Sequence, residues 1–270
     1  MATALIGGLL QQGFKPGDLR ALDVSEDARR RLQQQFGVST IAALDVEIAE
    51  DVVLLAVKPQ QMRAVAKDLR ATLRGQLVIS IAAGIRTADL ARWLGGHARI
   101  VRVMPNTPAL IRSGVSGLFA AAAVKQADRD SAQSILGAVG GVVWVRDESD
   151  IDVVTAISGS GPAYVFYFIE ALEQAAVELG LNDRQARELA VQTFVGAAKL
   201  AAGSDEPAAV LRARVTSKAG TTEAALKTME ANDIKRKIVE AVRAAARRSQ
   251  ELGEEFGKDQ ATKTDQVTKK

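Results

Sequence analysis

Residues 51–59 read DVVLLAVKP, and this stretch indicates the fold more clearly than any other part of the chain. A short, nearly continuous apolar run is typical of a parallel strand that is covered on both faces. Comparable runs recur along the first half of the chain, at residues 19–24, 76–83, 99–104 and 141–145. Helical patterns separate them, as at residues 26–36 and 60–73. This alternation predicts an α/β domain built on a doubly wound parallel sheet.

The second half of the chain has a different pattern. After about residue 147 the strand patterns end, and helical patterns follow at residues 162–180, 182–202, 207–215, 221–231 and 234–256. Pro162 in a first turn and Gly180 at an end are typical helix boundaries. The sequence therefore predicts an all-α domain after the α/β domain. Residues 258–270 are polar and lack aromatic side chains, so we expect a disordered tail there.

Composition excludes several classes of protein. The chain has 270 residues, which is enough for about two domains. Its 35 basic and 32 acidic side chains give a net charge of only +3, which argues against a nucleic-acid binder. The absence of cysteine and the single histidine, His97, exclude disulfides, thiolate nucleophiles and Cys- or His-based metal sites. No apolar run is long enough to span a membrane and no signal peptide is evident, so we expect a cytoplasmic protein.

Polar and turn-forming residues follow two of the predicted strands. VKPQ at residues 57–60 places Lys58 at the end of the 51–59 run, where the carboxyl ends of strands face the ligand crevice of a doubly wound sheet. RVMPNTPA at residues 102–109 brackets Asn106 and Thr107 with two prolines, which restrict the loop and suit it to hold a flat ligand. Taken singly, each segment is equally compatible with an ordinary turn.

Two further polar segments lie at predicted helix starts. SGSGP at residues 158–162 permits close approach to the backbone before a helix N-terminus, although a flexible turn explains it equally well. VTSKAGTTE at residues 215–223 places Ser217, Gly220, Thr221 and Thr222 before a helix. Their hydroxyl and backbone N–H groups suit a carboxylate or a phosphate. A helix-capping box accounts for only part of this second run.

These segments, together with IAAG at residues 81–84, occur in an order that resembles the pyrroline-5-carboxylate reductase family, from residue 1 to about residue 256. The resemblance implies the reduction of 1-pyrroline-5-carboxylate to L-proline by NADPH or NADH, the last step of proline biosynthesis. It implies a Rossmann-type dinucleotide-binding domain at residues 1–147 and an all-α dimerisation and substrate domain at residues 148–257. It also implies a homodimer, which in this family often assembles further into a decamer.

The resemblance assigns candidate residues by position. On the substrate side it implies that the Thr222 hydroxyl meets the imine nitrogen and that Thr221 and Gly220 offer backbone N–H groups to the carboxylate. Ser217 belongs to the same loop, and Glu148 matches an acidic residue beside the substrate. On the cofactor side it implies contacts from three loops, made by Val57, Lys58, Pro59, Ala83, Met104, Pro105, Asn106 and Thr107.

The end of the 19–24 run bears on the choice of cofactor. Asp23 lies where an acidic residue suits the ribose 2′-hydroxyl of NAD and disfavours a 2′-phosphate. Ser25 and Arg29 lie close by in sequence and are suited to a phosphate. The choice between NADH and NADPH therefore stays open.

The beginning of the chain lacks an expected motif. A dinucleotide-binding domain is expected to begin with a strand and a G-x-G-x-x-G turn. MATALIGGLLQQG at residues 1–13 matches the segment that family members carry directly after that turn, and Gly7 and Gly8 fall inside the first helix. We therefore expect a sheet without its first strand, a native start about a dozen residues upstream, and weak cofactor binding by the chain as it stands.

Alternative functions remain compatible with the same two-domain plan. A 3-hydroxyacid dehydrogenase needs a lysine base in the helical domain, and Lys199 in GAAKL is the best candidate for that role. Another imine reductase is a further alternative, as is a non-catalytic oligomeric binding protein that lacks the phosphate-binding turn. The dense apolar content of residues 162–202 predicts at least a dimer in every case.

Overall fold

A computed structural model describes residues 1–44 and 48–258 of the chain. By their contacts these residues divide into two compact units, one formed by the described residues up to 160 together with residues 245–258, and one formed by residues 161–244. Residues 148–160 and the end of the last helix thus group with the first unit, whereas the sequence prediction placed them in the helical domain. The predicted tail lies outside the described residues, apart from Lys258.

In the described residues of the first unit, the strands form two sheets. Strands β1 and β2 make a parallel pair, and the remaining strands make a five-stranded sheet in the order β3-β4-β5-β6-β7. Their bounds are β1 Arg20–Leu22, β2 Ser39–Ile41, β3 Val52–Leu55, β4 Leu77–Ser80, β5 Ile100–Met104, β6 Gly114–Ala120 and β7 Gly140–Trp144.

The larger sheet is mainly parallel, as predicted. Strands β3, β4 and β5 run parallel to one another, and β7 runs parallel to β6. Strand β6 is antiparallel to β5, with Met104 opposite Gly117. The sequence prediction missed β6, which follows β5 through a short 3₁₀ helix at Thr107–Ile111. Such a short connection reverses the chain direction, whereas a parallel neighbour needs a crossover of a dozen or more residues.

Helices flank the sheets of the first unit. Helix α2 is capped by the Ser25 hydroxyl, which accepts a hydrogen bond from the backbone N–H of Ala28, and it ends at Gly37 in the left-handed conformation. Helix α6 continues into a π-helical turn at Thr155–Gly159. The helix bounds are α1 Ala2–Gln11, α2 Glu26–Phe36, α3 Pro59–Leu69, α4 Thr87–Trp93, α5 Gln126–Gly137 and α6 Asp150–Val154.

The core lies on both faces of the larger sheet. Along β4, Leu77 and Ile79 belong to one apolar cluster while Val78 belongs to another. Because successive side chains of a strand point to opposite faces, the two clusters occupy opposite faces of the sheet. This arrangement confirms the doubly wound α/β fold predicted from the apolar runs.

The second unit is entirely helical in its described residues. Its helices are α7 Gly161–Glu178, α8 Asp183–Ala202, α9 Ala208–Arg214, α10 Thr221–Ala231 and the first half of α11 Ile234–Gly257. Helix α8 begins with a capping box between Asn182 and Gln185. Within the described chain, no helix combines the length and apolar character needed to cross a membrane.

Candidate functional site

The ends of three parallel strands place most of the predicted cofactor residues at one edge of the larger sheet. Val57, Lys58 and Pro59 follow β3, Ala83 follows β4, and Met104 ends β5. Because these strands are adjacent and parallel, their carboxyl ends lie at the same edge. The Lys58 side chain is exposed, and Pro59 opens helix α3. The structure thus brings together the segments that the sequence predicted separately.

Asp23 and Ser25 form a compact turn after β1. One oxygen of the Asp23 carboxylate accepts a hydrogen bond of 2.8 Å from the backbone N–H of Ser25. The Arg29 guanidinium donates to the backbone carbonyl of Asp23 at 2.7 Å. A carboxylate and a guanidinium therefore lie together at the end of this strand, beside the N-terminus of α2.

A side-chain hydrogen bond joins the loop after β5 to the neighbouring strand. Asn106 is 9% exposed, and its side-chain oxygen accepts a hydrogen bond of 2.9 Å from the backbone N–H of Val115 in β6. This oxygen therefore fixes the loop to the neighbouring strand. Pro105 is buried, Met104 is half-buried, and Thr107 is exposed at the start of the 3₁₀ helix. The polar group that this loop exposes is thus Thr107 rather than Asn106.

The turn after β4 depends on a glycine. Gly84 has φ of +74°, and a β-carbon there would lie 3.0 Å from the Phe256 ring of α11. The residue is therefore constrained both by its backbone conformation and by the aromatic side chain packed against it. The last turns of α11 thus cover the turn that contains Ala83.

The predicted substrate loop lies in the second unit, between α9 and α10. Ser217 and Thr221 are exposed, and Thr222 is half-buried in the first turn of α10. The backbone N–H of Gly220 donates to the carbonyl of Ser217 at 3.1 Å and so closes a turn within the loop. The contact expected between this N–H and the substrate carboxylate stays a prediction.

The remaining groups of this loop suit the predicted chemistry. Thr221 and Thr222 are the first residues of α10, whose initial N–H groups have no partner within the helix. Among the described residues, no hydrogen bond engages the Thr222 hydroxyl. Glu223 accepts a hydrogen bond of 2.7 Å from the backbone N–H of Ala219, which stabilises the preceding turn at φ of +60°. Two backbone donors and one hydroxyl therefore lie together at the helix start.

Glu148 belongs to the first unit, and both oxygens of its carboxylate have partners there. One accepts from the backbone N–H of Thr87 at 2.7 Å, and the other accepts from the Thr87 hydroxyl at 2.7 Å. The Arg102 guanidinium donates to the first of these oxygens at 3.2 Å. The role of Glu148 beside the substrate stays a prediction. In the structure its carboxylate links Arg102 of β5 to Thr87 at the start of α4.

Sequence reasoning missed the polar cluster around Glu148. Arg102 is 3% exposed within β5, and Asp152 and Ser249 are buried beside it. A cation in the middle of the apolar run IVRVM was a signal for this cluster, since a buried charge requires partners. The partners of Arg102 are Glu148, just before α6, and Asp152 on α6, and Ser249 of α11 bonds to Asp152. The local pattern does not connect these segments to β5.

The described part of the chain contains no cluster of side chains suited to bind a metal ion. No three histidine, aspartate or glutamate side chains within residues 1–44 and 48–258 are grouped so that they can hold a metal ion.

Comparisons with known proteins agree with this geometry. Residues 148–252 match the family model for pyrroline-5-carboxylate reductase dimerisation, and residues 1–84 match a model described as NADP oxidoreductase coenzyme F420-dependent. A pyrroline-5-carboxylate reductase from Pseudomonas aeruginosa is 46% identical over 259 residues, which cover 95% of each chain.

Solved structures give the same result. A pyrroline-5-carboxylate reductase from Coxiella burnetii is 40% identical with a TM-score of 0.87, over 93% of this chain and 94% of the other. A Plasmodium falciparum pyrroline carboxylate reductase with NADP bound is 30% identical with a TM-score of 0.82, over the same shares of the two chains. The strand-end loops, the helical second unit and these identities lead to one conclusion: the chain belongs to the pyrroline-5-carboxylate reductase family.

Proposed function

We infer that this chain reduces 1-pyrroline-5-carboxylate to L-proline, with NADPH or NADH as the hydride donor. The observation that carries the inference is the Ser217–Thr222 loop at the start of α10, in a chain that is 46% identical to a named reductase over 95% of its length. The loop offers hydrogen-bond donors that suit a small cyclic imino acid. The strand-end loops of the first unit offer a surface that suits a dinucleotide.

The donor set at the strand ends fits a nicotinamide dinucleotide. Asp23 has one carboxylate oxygen engaged with Ser25, and its other oxygen is suited to a ribose hydroxyl. Lys58 is exposed and suited to a phosphate, while the half-buried Ala83 and Met104 and the exposed Thr107 are suited to contact the nicotinamide. When bound, the reduced nicotinamide supplies the hydride.

The substrate loop supplies orientation and polarisation. Reduction adds a hydride to the ring carbon of the C=N bond and a proton to its nitrogen. The protonated imine is already electrophilic, so the protein needs to hold it in place rather than to provide a strong acid. We propose that the Thr222 hydroxyl hydrogen-bonds the ring nitrogen, and that the N–H groups of Thr221 and Thr222 hold the carboxylate. Ser217 shapes the loop by accepting from Gly220.

The activity is tested by mixing the purified chain with NADPH or NADH and racemic 1-pyrroline-5-carboxylate. We expect loss of the reduced nicotinamide absorbance and formation of L-proline, identified by chiral amino-acid analysis. No loss of absorbance with either cofactor would contradict the proposed function. A non-catalytic binding protein, the alternative from another class, would give that negative result.

The 3-hydroxyacid dehydrogenase alternative makes a different prediction. Lys199 is exposed on α8 and would have to serve as the base in that reaction. Under the reductase function, Lys199→Met leaves imine reduction unchanged, and no 3-hydroxyacid is oxidised by the parent. Oxidation of a 3-hydroxyacid that disappears in Lys199→Met would favour the alternative.

Cofactor preference is tested at the end of β1. Replacing Asp23 with serine removes a negative charge beside the position of the ribose 2′ group. We expect the ratio of kcat/KM for NADPH to kcat/KM for NADH to rise by about tenfold, since like charges repel. Arg29→Gln is the opposite test, and we expect that ratio to fall.

We also propose that the chain works as a homodimer in the cytoplasm. The match of residues 148–252 to a dimerisation family supports association through the helical unit. The lack of cysteine is compatible with a reducing compartment. Further assembly into a decamer stays a prediction.

A further inference from the structure

Strand β5 carries a charge where only apolar side chains are expected. Its residues Ile100, Val101 and Val103 are at most 1% exposed, and Arg102 between them is 3% exposed. The strand lies between β4 and β6, so its backbone is paired on both sides. A guanidinium in such a position is costly unless its charge and its donors are satisfied.

Two carboxylates satisfy the Arg102 guanidinium. One nitrogen lies 3.2 Å from the Glu148 carboxylate, and another lies 3.7 Å from Asp152, which is itself buried on α6. The same Asp152 oxygen accepts a hydrogen bond of 2.6 Å from the Ser249 hydroxyl on α11. Glu148 in turn accepts two hydrogen bonds from Thr87 at the start of α4. These five residues form one continuous polar network, called here the Arg102 clamp.

The clamp joins the two segments that are proposed to face the nicotinamide. Arg102 lies two residues before Met104, where the loop after β5 begins. Thr87 lies four residues after Ala83, at the end of the turn that follows β4. Glu148 bridges Arg102 and Thr87, so one carboxylate fixes the spacing between these segments.

Packing on one face of β5 links Arg102 to the start of the cofactor loop. Arg102 and Met104 are two residues apart on this strand, so their side chains lie on the same face. A β-carbon at Gly159 would lie 2.6 Å from the terminal methyl group of Met104, so the π-helical turn after α6 packs closely against that side chain. Asp152 anchors α6, directly before this turn, to Arg102. Movement of the guanidinium would therefore disturb the α6 segment that contacts the start of the cofactor loop.

We propose that Arg102 is a positioning residue for the reductase, acting with Glu148 and Thr87 to set the distance between the Ala83 turn and the Met104–Thr107 loop. The substrate-side role predicted for Glu148 is thereby replaced by one on the cofactor side. This inference rests on the proposed function and on the proposed cofactor loops. Its consequence is that loss of the clamp impairs the binding of reduced nicotinamide cofactor more than the binding of substrate.

Arginine suits this task and lysine does not. The planar guanidinium directs separate N–H groups toward Glu148 and Asp152 at once, whereas an ammonium is a single point of charge. Arg102→Lys therefore keeps the positive charge but loses the separate N–H groups that face Glu148 and Asp152. We expect the KM for NAD(P)H to rise by about tenfold or more, while the KM for 1-pyrroline-5-carboxylate changes by less than about threefold.

A matched control lies at the start of the same strand. Arg99 pairs with Asp128 of α5, away from the two loops. Arg99→Lys alters an arginine–aspartate pair in the same sheet and should lower the melting temperature without changing either KM. A general loss of folded protein would lower the apparent kcat alone, so the separation of the two KM values distinguishes positioning from stability.

Glu148→Gln and Thr87→Val test the clamp at the two residues that link Arg102 to the Ala83 turn. Both variants leave the Arg102–Asp152 pair in place, so they keep the test decisive even if Arg102→Lys does not fold. We expect both to raise the KM for NAD(P)H, by the same mechanism and in the same direction. If Glu148 instead contacts the substrate, Glu148→Gln will raise the KM for 1-pyrroline-5-carboxylate alone and Thr87→Val will change neither.

The outcomes separate this inference from the proposed function. A parent chain without imine reductase activity contradicts the proposed function and removes the basis of the clamp. If the parent is active and the folded clamp variants keep the parental KM for NAD(P)H, the positioning role of the clamp is overturned and the proposed function stands. A rise confined to the substrate KM overturns it as well.

Discussion

At the scale of single residues, the Thr222 hydroxyl carries the most specific expectation. Thr222→Ala removes the hydrogen bond that is proposed to hold the ring nitrogen in place for hydride transfer. We expect kcat/KM to fall by about 10²-fold, as for a reactant misplaced by about 1 Å. The free energy of unfolding should change by no more than about 1 kcal/mol, the typical value of a hydroxyl near a helix start. Steady-state kinetics and urea unfolding measure the two effects.

Thr221→Ala is the matched control for that substitution. Thr221 precedes Thr222 in the first turn of α10, and its side chain is exposed. Its proposed role uses the backbone N–H, which alanine retains. We expect kcat/KM within about threefold of the parent. Equal effects of the two substitutions would remove the hydroxyl of Thr222 from the mechanism.

Asp128 carries a pH-dependent contribution to stability. The hydrogen bond from the Arg99 guanidinium holds the pKa of this carboxylate below its ordinary value, against the opposing effect of burial. A group with a lowered pKa in the folded state stabilises the protein above its unfolded pKa of about 3.9, and this stabilisation is lost as the pH falls through the folded value. Asp128 also caps α5 by accepting from the backbone N–H of Lys125 at 3.0 Å.

We therefore expect Asp128→Asn to destabilise the protein at neutral pH by about 1–2 kcal/mol. The difference from the parent should narrow below about pH 4, because protonation of this carboxylate in the unfolded state progressively removes its contribution. Urea unfolding at a series of pH values measures this trend. Asp130→Asn, at an exposed position of the same helix, should show little effect at any pH. A difference that stays constant from neutral to acidic pH would contradict the assignment to charge.

At the scale of elements, one glycine determines how α6 packs on the sheet. A β-carbon at Gly117 in β6 would lie 2.5 Å from a methyl group of Val154, at the end of α6. We expect Gly117→Ala to destabilise the protein by about 1–3 kcal/mol, because α6 has to move away. Gly141→Ala in β7 is the control, since its β-carbon would meet its nearest neighbour at 3.8 Å.

The combination of Gly117→Ala with Val154→Ala tests the cause of that loss. Removing the valine methyl groups makes room for the new β-carbon, so the double variant should lose less stability than the sum of the two single variants. Thermal and urea unfolding of the four proteins measure the coupling. If the two losses of stability simply add, the alanine at position 117 destabilises strand β6 directly and not through its contact with Val154.

The sequence predicted elements well where the signal is local. Helices α2 and α10 have the predicted bounds, and β5 begins one residue after the predicted start, because caps and apolar periodicity are properties of neighbouring residues. Strand β6 was missed because GVSGLFA contains glycines and lacks a clear alternation. Gly117 makes room for α6 and Gly114 for Ala109 of the 3₁₀ helix, and these requirements are evident only in the folded structure.

The candidate site shows the same limit. The strand-end loops were predictable, since parallel strands present their carboxyl ends at one edge. The partners of individual groups were not predictable, because Asn106 bonds to β6 and Glu148 bonds to Thr87, which is 61 residues distant in the chain. The turn that Gly220 closes by donating to Ser217 was not predictable either, because it depends on backbone geometry.

At the scale of the whole molecule, the helical unit carries apolar surface that is not covered within the described chain. Helix α7 has no buried residue, and α8 has only Ala186 and Ala190. Phe166 is 61% exposed and Tyr167 is 72% exposed on α7, and Leu189 of α8 is 58% exposed. Helices that expose so many large apolar side chains are typical of an interface between subunits.

We therefore expect the chain to be at least a dimer at micromolar concentration, with this helical surface buried between copies. Phe166→Glu places a charge in the expected interface, where its desolvation opposes association. The variant should sediment as a smaller species than the parent while its circular dichroism retains the helical signal. Val143→Glu, at a 53% exposed apolar position of the first unit, is the control and should keep the parental mass. A parent that sediments as a monomer would contradict the dimer, and parental mass in Phe166→Glu would show that the subunits meet elsewhere.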